Sequence, residues 1–295
     1  MTAGLPDPAG FPDCPVCAYV LTGTARLCSD CAGCTLQPIT DLHCPVCSQA
    51  LAPGGQCGNR LCALPEAQRG FSRVDAVAVY SGALRDKIHK LKYEGKHGWA
   101  MIFGRLLVGW MESHPEQMRG VDHVVGNPTH IGRQPIQHIE AIMDAAYTED
   151  VTHAFPLSAP GAHRLIKANE TPRSANKNLD DKRAAATAHA AALTWTGDTG
   201  DIKGRTILLV DDVLTSGSQL QHVALRLRAS GAADVRFSDS FSHESPGAAD
   251  PALVLQPDFC ISPGQRPGGG ECSGGVACVG RSWAGRPTNE CPRRM

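Results

Sequence analysis

Residues 1–13 contain no lysine or arginine and no apolar core, so they do not read as a secretory signal. No apolar run in the 295 residues is long enough to span a bilayer, and Arg105 interrupts the stretch from Ala100 to Met111. Charge of one sign is also lacking. The formal net charge is −1, so no global field draws the chain to nucleic acid or to a membrane, and any basic surface must be local. Cysteine is absent between Cys62 and Cys260. These absences lead us to expect a cytoplasmic protein with no membrane insertion.

The cysteines that are present are clustered. Nine of the 13 lie between Cys14 and Cys62, and four fall in the last 36 residues. CxxC pairs without a secretion signal favour metal over disulfides. Cys14-x2-Cys17-x10-Cys28-x2-Cys31 forms one candidate tetrahedral set, and Cys44-x2-Cys47-x9-Cys57-x4-Cys62 forms a second. Two knuckles joined by a short loop can place four thiolates around one Zn²⁺, which then supplies much of the folding free energy of a coreless segment. Cys34 is left over and could replace Cys28 or Cys31. The alternative is reactive or disulfide-paired thiols.

The chain divides into a lead (1–13), a double zinc ribbon (14–65), an alternating helix and strand region (71–243), and a Gly/Pro/Arg/Cys-rich tail (244–295) that reads as disordered. Strands are expected at 74–80, 121–125, 151–157, 206–210 and 235–241. Helices are expected at 83–91, 102–110, 138–146, 182–193 and 218–230. Residues 158–181 are polar and pattern-free, the signature of a functional or disordered loop. Strands alternating with helices imply an α/β fold with a mostly parallel sheet.

One segment carries the chemistry. The run Ile207-Leu208-Leu209-Val210 reads as a central buried strand, and Asp211 and Asp212 follow at its carboxyl end. Thr215-Ser216-Gly217-Ser218 then leads into a helix. Ligands of open α/β sheets bind outside the carboxyl ends of the strands. A glycine turn into a helix start offers backbone N–H groups and the helix dipole to an anion. Two acids beside such a cradle require sugar hydroxyls or Mg²⁺ as partners. The alternative is a pair of turn acids followed by an ordinary Ser N-cap.

This stretch resembles the phosphoribosyl-pyrophosphate (PRPP) motif of type I phosphoribosyltransferases. The resemblance implies that Asp211 and Asp212 contact the ribose hydroxyls and that Thr215, Ser216, Gly217 and Ser218 hold the 5′-phosphate. Thr215 stands where 6-oxopurine transferases carry Asp, which argues against a hypoxanthine or guanine substrate. The ribbon, a basic helix and this motif together resemble the ComF family of competence-related proteins. Tyr80-Ser81-Gly82-Ala83-Leu84 and Ile88-His89-Lys90-Leu91-Lys92-Tyr93-Glu94-Gly95 are similar to that family's segment between ribbon and transferase. The resemblance covers residues 14 to about 243 and implies a fold of the type I phosphoribosyltransferase kind. It places the pyrophosphate loop at Gly126, Asn127, Pro128, Thr129 and His130. The family's Arg-Gly-Phe-Asn-Gln stretch is replaced by Arg133-Gln134-Pro135-Ile136-Gln137-His138.

The implied reaction is displacement of pyrophosphate at ribose C1 with Mg²⁺. The catalytic candidates are Asp211, Asp212 and, in the 158–181 loop, Lys167, with His163, Arg164, Arg173 and Lys177 as further cations. The resemblance also implies a link to DNA uptake. Arg85, Lys87, Lys90 and Lys92 are the candidate contacts to single-stranded DNA, against the alternative of a solvated helix face. Two other readings stay open: a non-catalytic PRPP sensor that binds single-stranded DNA, and a zinc-dependent protein adaptor.

Overall fold

Short strands alternating with helices set the architecture of this computed structural model. It describes residue 39 and residues 42–80, 82–172, 179–214 and 217–243. Cys14, Cys17, Cys28, Cys31, Cys34, Arg173, Lys177, Thr215, Ser216 and the tail lie outside the described residues. In chain order the elements are β1 (Val74–Tyr80), α1 (Gly82–Glu94), α2 (Gly98–Ser113), α3 (Pro115–Met118), β2 (His123–Gly126), α4 (His138–Glu149), β3 (Leu165–Lys167), α5 (Leu179–Ala191), β4 (Leu193–Trp195), α6 (Thr199–Ile202), β5 (Thr206–Asp211), α7 (Ser218–Ala229) and β6 (Asp234–His243).

Four strands form one sheet in the order β1-β6-β5-β2, and every pairing is parallel. β5 is central and its apolar residues serve both faces. Ile207 and Leu209 pack with Val223, Ala224 and Leu227 of α7, while Leu208 and Val210 pack with Ile139, Met143 and Ala146 of α4 and with Leu107 and Met111 of α2. All four of these β5 residues are at most 1% exposed. Burial of each large side chain contributes roughly 1.5–3 kcal/mol. A strand with both faces covered loses the inside–outside alternation of a surface strand, which is why this run is uniformly apolar.

The helix after β2 lies on one face and the helix after β5 on the other. β2 and β5 are neighbours, so the helices that follow them diverge at the strands' carboxyl ends. This is the topological switch point at which α/β sheets bind ligands.

Two expectations are corrected. Residues 151–157 make only an isolated parallel bridge, Val124 with Leu157. The Asp150 carboxylate accepts the N–H groups of Ala154 and Phe155 at 2.9 Å each and winds that segment into a turn. The 158–181 stretch is not a free loop throughout: β3 lies within it and pairs antiparallel with β4. Two three-residue strands are too short for periodicity to reveal.

The cysteine-bearing segment is continuous with this core. Val46 accepts the Val74 N–H at 2.8 Å, and the Ser48 hydroxyl donates to the Val74 carbonyl at 2.7 Å. Gln221 of α7 accepts from Gly70 N–H and donates to the Gln68 carbonyl, both at 3.0 Å, pinning the linker. Among the described residues no helix is long and apolar enough to cross a membrane.

Helices α2 and α4 meet closely at Gly104. A Cβ there would lie 2.6 Å from the Ala146 nitrogen and 2.7 Å from the Ala145 Cβ, whereas one at Gly109 meets nothing within 4 Å. Gly104→Ala is therefore expected to cost about 1–3 kcal/mol of stability, and Gly109→Ala to be neutral or to gain up to about 1 kcal/mol. Urea denaturation of the two variants checks this difference in sign.

Candidate functional site

β5 ends in Asp211, and Asp212 follows it. On the neighbouring strand, Asn127 N–H donates to the Val210 carbonyl at 2.7 Å and carries the ladder one residue past β2. The Asn127 side-chain amide is thereby brought alongside and donates to Asp211 Oδ2 at 3.0 Å. Gly126 lets α4 begin close to the sheet, since a Cβ there would fall 2.5 Å from Ile139 Cγ2. His138, the first residue of α4, then reaches Asp212 Oδ2 with Nε2 at 2.9 Å. From the last turn of α1, the Lys92 ammonium ion-pairs with the same oxygen. Asp212 is 6% exposed and His138 is 3% exposed.

The two adjacent acids are electrostatically unlike. Burial, followed by the neighbouring Asp212 charge, pushes the Asp211 carboxyl up to about 7. Burial acts on Asp212 too, but Lys92 and the His138 hydrogen bond outweigh it and hold Asp212 well below the usual carboxylate range. Burial likewise opposes the Lys92 charge, yet the Asp212 carboxylate leaves the lysine raised. Burial lowers His138 below its ordinary value despite Asp212, so the neutral imidazole donates from Nε2, and its buried Nδ1 has no hydrogen-bond partner.

Asp211 also ends a second chain of polar groups. Lys167 of β3 donates to Thr171 Oγ1 at 2.7 Å and lies 3.0 Å from His189 Nδ1. His189 Nε2 is 2.9 Å from Asn127 Oδ1. Burial and then the Lys167 charge depress His189 to about 3, so this imidazole is neutral. An ammonium facing Nδ1 leaves the proton on Nε2, which donates to Asn127 Oδ1. With its oxygen so occupied, Asn127 turns its NH₂ to Asp211. The order Lys167, His189, Asn127, Asp211 is thus directional, each donor fixing the next.

The structure gathers Asp211, Asp212, Asn127, Lys167 and Lys92 in this network. Gly217 caps α7 in a left-handed conformation, φ 73°, and Ser218 is the first residue of that helix. Thr215 and Ser216 fall outside the described residues. Pro128 and Thr129 are buried beside Asn127, and the Thr129 hydroxyl donates to Glu140 at 2.8 Å. Of the other described cations expected in the 158–181 stretch, His163 is 3.3 Å from Asp144 and Arg164 is 2.8 Å from Asp201.

The basic face expected on α1 is corrected. Lys92 turns inward to Asp212. Lys87 is buried, with its ammonium 5.5 Å from the Trp99 ring centroid. Of the four cations expected to meet DNA, only Arg85 is exposed and Lys90 half-buried. The sequence reading missed His138 and His189. The one available signal for His138 was its place at a helix start after β2, where side chains face a switch-point crevice.

Cys44, Cys47, Cys57 and Cys62 form a second candidate centre. Their sulfurs all lie within 4.8 Å of one another. Cys47 and Cys57 are 3.6 Å apart, close to the roughly 3.8 Å that tetrahedral 2.3 Å metal–sulfur bonds impose. Backbone N–H groups of Val46 and Asn59 point at Cys44 and Cys57 Sγ, each at 3.4 Å. Burial raises Cys47 and pushes Cys62 up to about 12, so a cation is needed to hold all four as thiolates. The set has the geometry to hold a metal ion.

The chain matches no family model and no curated protein.

The opposite shifts of the two acids predict opposite pH trends. Asp211 is raised in the folded state, so it costs stability increasingly from about pH 4 to about pH 7. Over that window Asp211→Asn should gain stability relative to wild type. Asp212 is lowered, so its contribution is full above the ordinary carboxylate range and fades as pH falls below it. Asp212→Asn should cost about 3–5 kcal/mol near pH 7 and less below about pH 4. Urea denaturation across pH 3–8 tests both trends.

Proposed function

We propose that the crevice between β2 and β5 binds PRPP and that the protein is a phosphoribosyltransferase of the ComF kind. The observation that carries this reading is the acid pair. One carboxyl is raised and the other lowered, and they stand at the switch point, just ahead of α7 in sequence. Asp211 bears a proton up to about pH 7 and can donate to a ribose hydroxyl, while Asp212 can accept from its neighbour. Gly217 and Ser218 start the helix whose dipole faces the 5′-phosphate. The Gly126–Thr129 turn then lies on the pyrophosphate side.

In this reading the C1–oxygen bond to pyrophosphate breaks as a bond from C1 to the acceptor forms. Bound Mg²⁺ would neutralise charge on the departing pyrophosphate. Asn127, held by His189 and Lys167, keeps Asp211 oriented through the displacement. Lys92 neutralises Asp212, so the ligand meets one fewer unbalanced negative charge. The Cys44, Cys47, Cys57 and Cys62 centre holds structural Zn²⁺, and the Cys14, Cys17, Cys28 and Cys31 set is read as a second. The DNA-binding alternative retains two of its four proposed cations and so has the weaker footing.

Calorimetric titration with PRPP, with and without Mg²⁺, tests the reading. Wild type should bind, and Asp211→Ala should weaken binding several-fold to about tenfold, the loss of a neutral hydrogen bond to substrate being worth roughly 0.5–1.5 kcal/mol. Equal affinity in the two proteins, or no binding by wild type, would remove the proposal.

A further inference from the structure

The second cysteine pair is irregular, with four residues where a knuckle usually has two. The structure gives those residues a task. Asn59 N–H donates to Cys57 Sγ at 3.4 Å, and its side-chain Oδ1 accepts the Leu61 N–H at 3.0 Å. Cys62 N–H donates back to the Asn59 carbonyl at 3.0 Å, closing a short 3₁₀ turn over Arg60–Ala63. The turn is therefore tied at each end to a cysteine of the four-sulfur cluster.

Its outward residues rest on the start of α7. A Cβ on Gly217 would lie 3.0 Å from Leu61 Cδ1, 3.4 Å from Leu214 Cδ1 and 3.8 Å from Asn59 Nδ2. Gly217 is glycine because its φ of 73° lies in the left-handed region, and a Cβ there would also press on the Leu61 side chain. Leu61, Cys57 and Cys62 pack against the same apolar cluster as Leu214 and Leu220, which flank Gly217 in sequence.

We propose that the Cys57–Cys62 turn is a positioning wall for Gly217 and the start of α7, so that metal held by Cys44, Cys47, Cys57 and Cys62 seats Leu61 and Asn59 against Gly217 and raises the affinity for the phosphorylated sugar. This rests on the reading of the β2–β5 crevice as a PRPP site. The physical basis is that four sulfurs with a common ion have one arrangement, whereas four thiols are joined only by weak contacts. Leu61 is placed by the former and released by the latter. The coupling is reciprocal: whatever factor the metal contributes to PRPP binding, PRPP contributes to metal binding.

The test uses the full chain loaded with zinc, with two readouts. The first is amide hydrogen exchange at Gly217 and Ser218, which needs no ligand. It should rise about tenfold or more in Cys62→Ser and in Leu61→Ala, while exchange at Leu208 and Leu209 stays unchanged. The second is PRPP affinity by calorimetry, expected to fall within the roughly 5–150-fold range typical of coupled sites. Leu61→Ala should show that loss with full zinc content, Leu61→Met should restore affinity, and exposed Leu42→Ala should behave as wild type. Unchanged exchange in Leu61→Ala overturns the wall. So does PRPP affinity that is equal in wild type, Leu61→Ala and Cys62→Ser, and in that case the PRPP reading itself stands. Absence of PRPP binding by zinc-loaded wild type overturns both.

Discussion

Two carboxylates on consecutive residues at the end of a buried strand cannot both be ionised there without a counter-charge, and the site is organised around that constraint. The Lys92 ammonium and the His138 imidazole converge on Asp212 and settle the negative charge on it. Asp211 is left with the proton, oriented by Asn127. Each partner comes from a different element: α1, α4 and the turn after β2. The pair therefore assembles only when those elements are docked. An unpaired buried charge would cost several kcal/mol, so the acids report on the whole carboxyl edge of the sheet.

Much of the frame was legible in the sequence because its signals are local. Ile207-Leu208-Leu209-Val210 could be read as a central strand from its apolar run alone, and the alternation of strands with helices gave the α/β class and the parallel sheet. The site was half legible. Asp211, Asp212 and Asn127 lie at strand ends, where position in sequence predicts position in space. Lys92, His138 and His189 do not. Lys92 sits among other lysines on a helix, and its neighbours alone suggest a solvated basic face. Only the docking of α1 over the sheet edge shows that this one turns inward. His189 is 62 residues from Asn127, and the bond between them depends on how α5 packs.

The misread loop has a similar cause. Leu165-Ile166-Lys167 is too short to announce a strand, and it becomes one because Leu193–Trp195 supplies the partner ladder. That pairing places Lys167, which the sequence left in a pattern-free loop, as the first link of the hydrogen-bonded chain ending at Asp211. The Cys57-x4-Cys62 spacing looked like an imperfect knuckle when judged by metal geometry alone. Against the folded core, the extra residues carry Leu61 to Gly217. A feature that weakens one local rule here serves a contact that no local rule contains.

The central claim is the division of protonation between the two acids. Carbon-13 NMR titration of the aspartate carboxyl groups from pH 3 to 9 reads it directly, with Asp211→Asn and Asp212→Asn giving the assignments. The account predicts one carboxyl of the pair titrating near pH 7 and the other ionised throughout. Two carboxyls titrating together near pH 4 would contradict it.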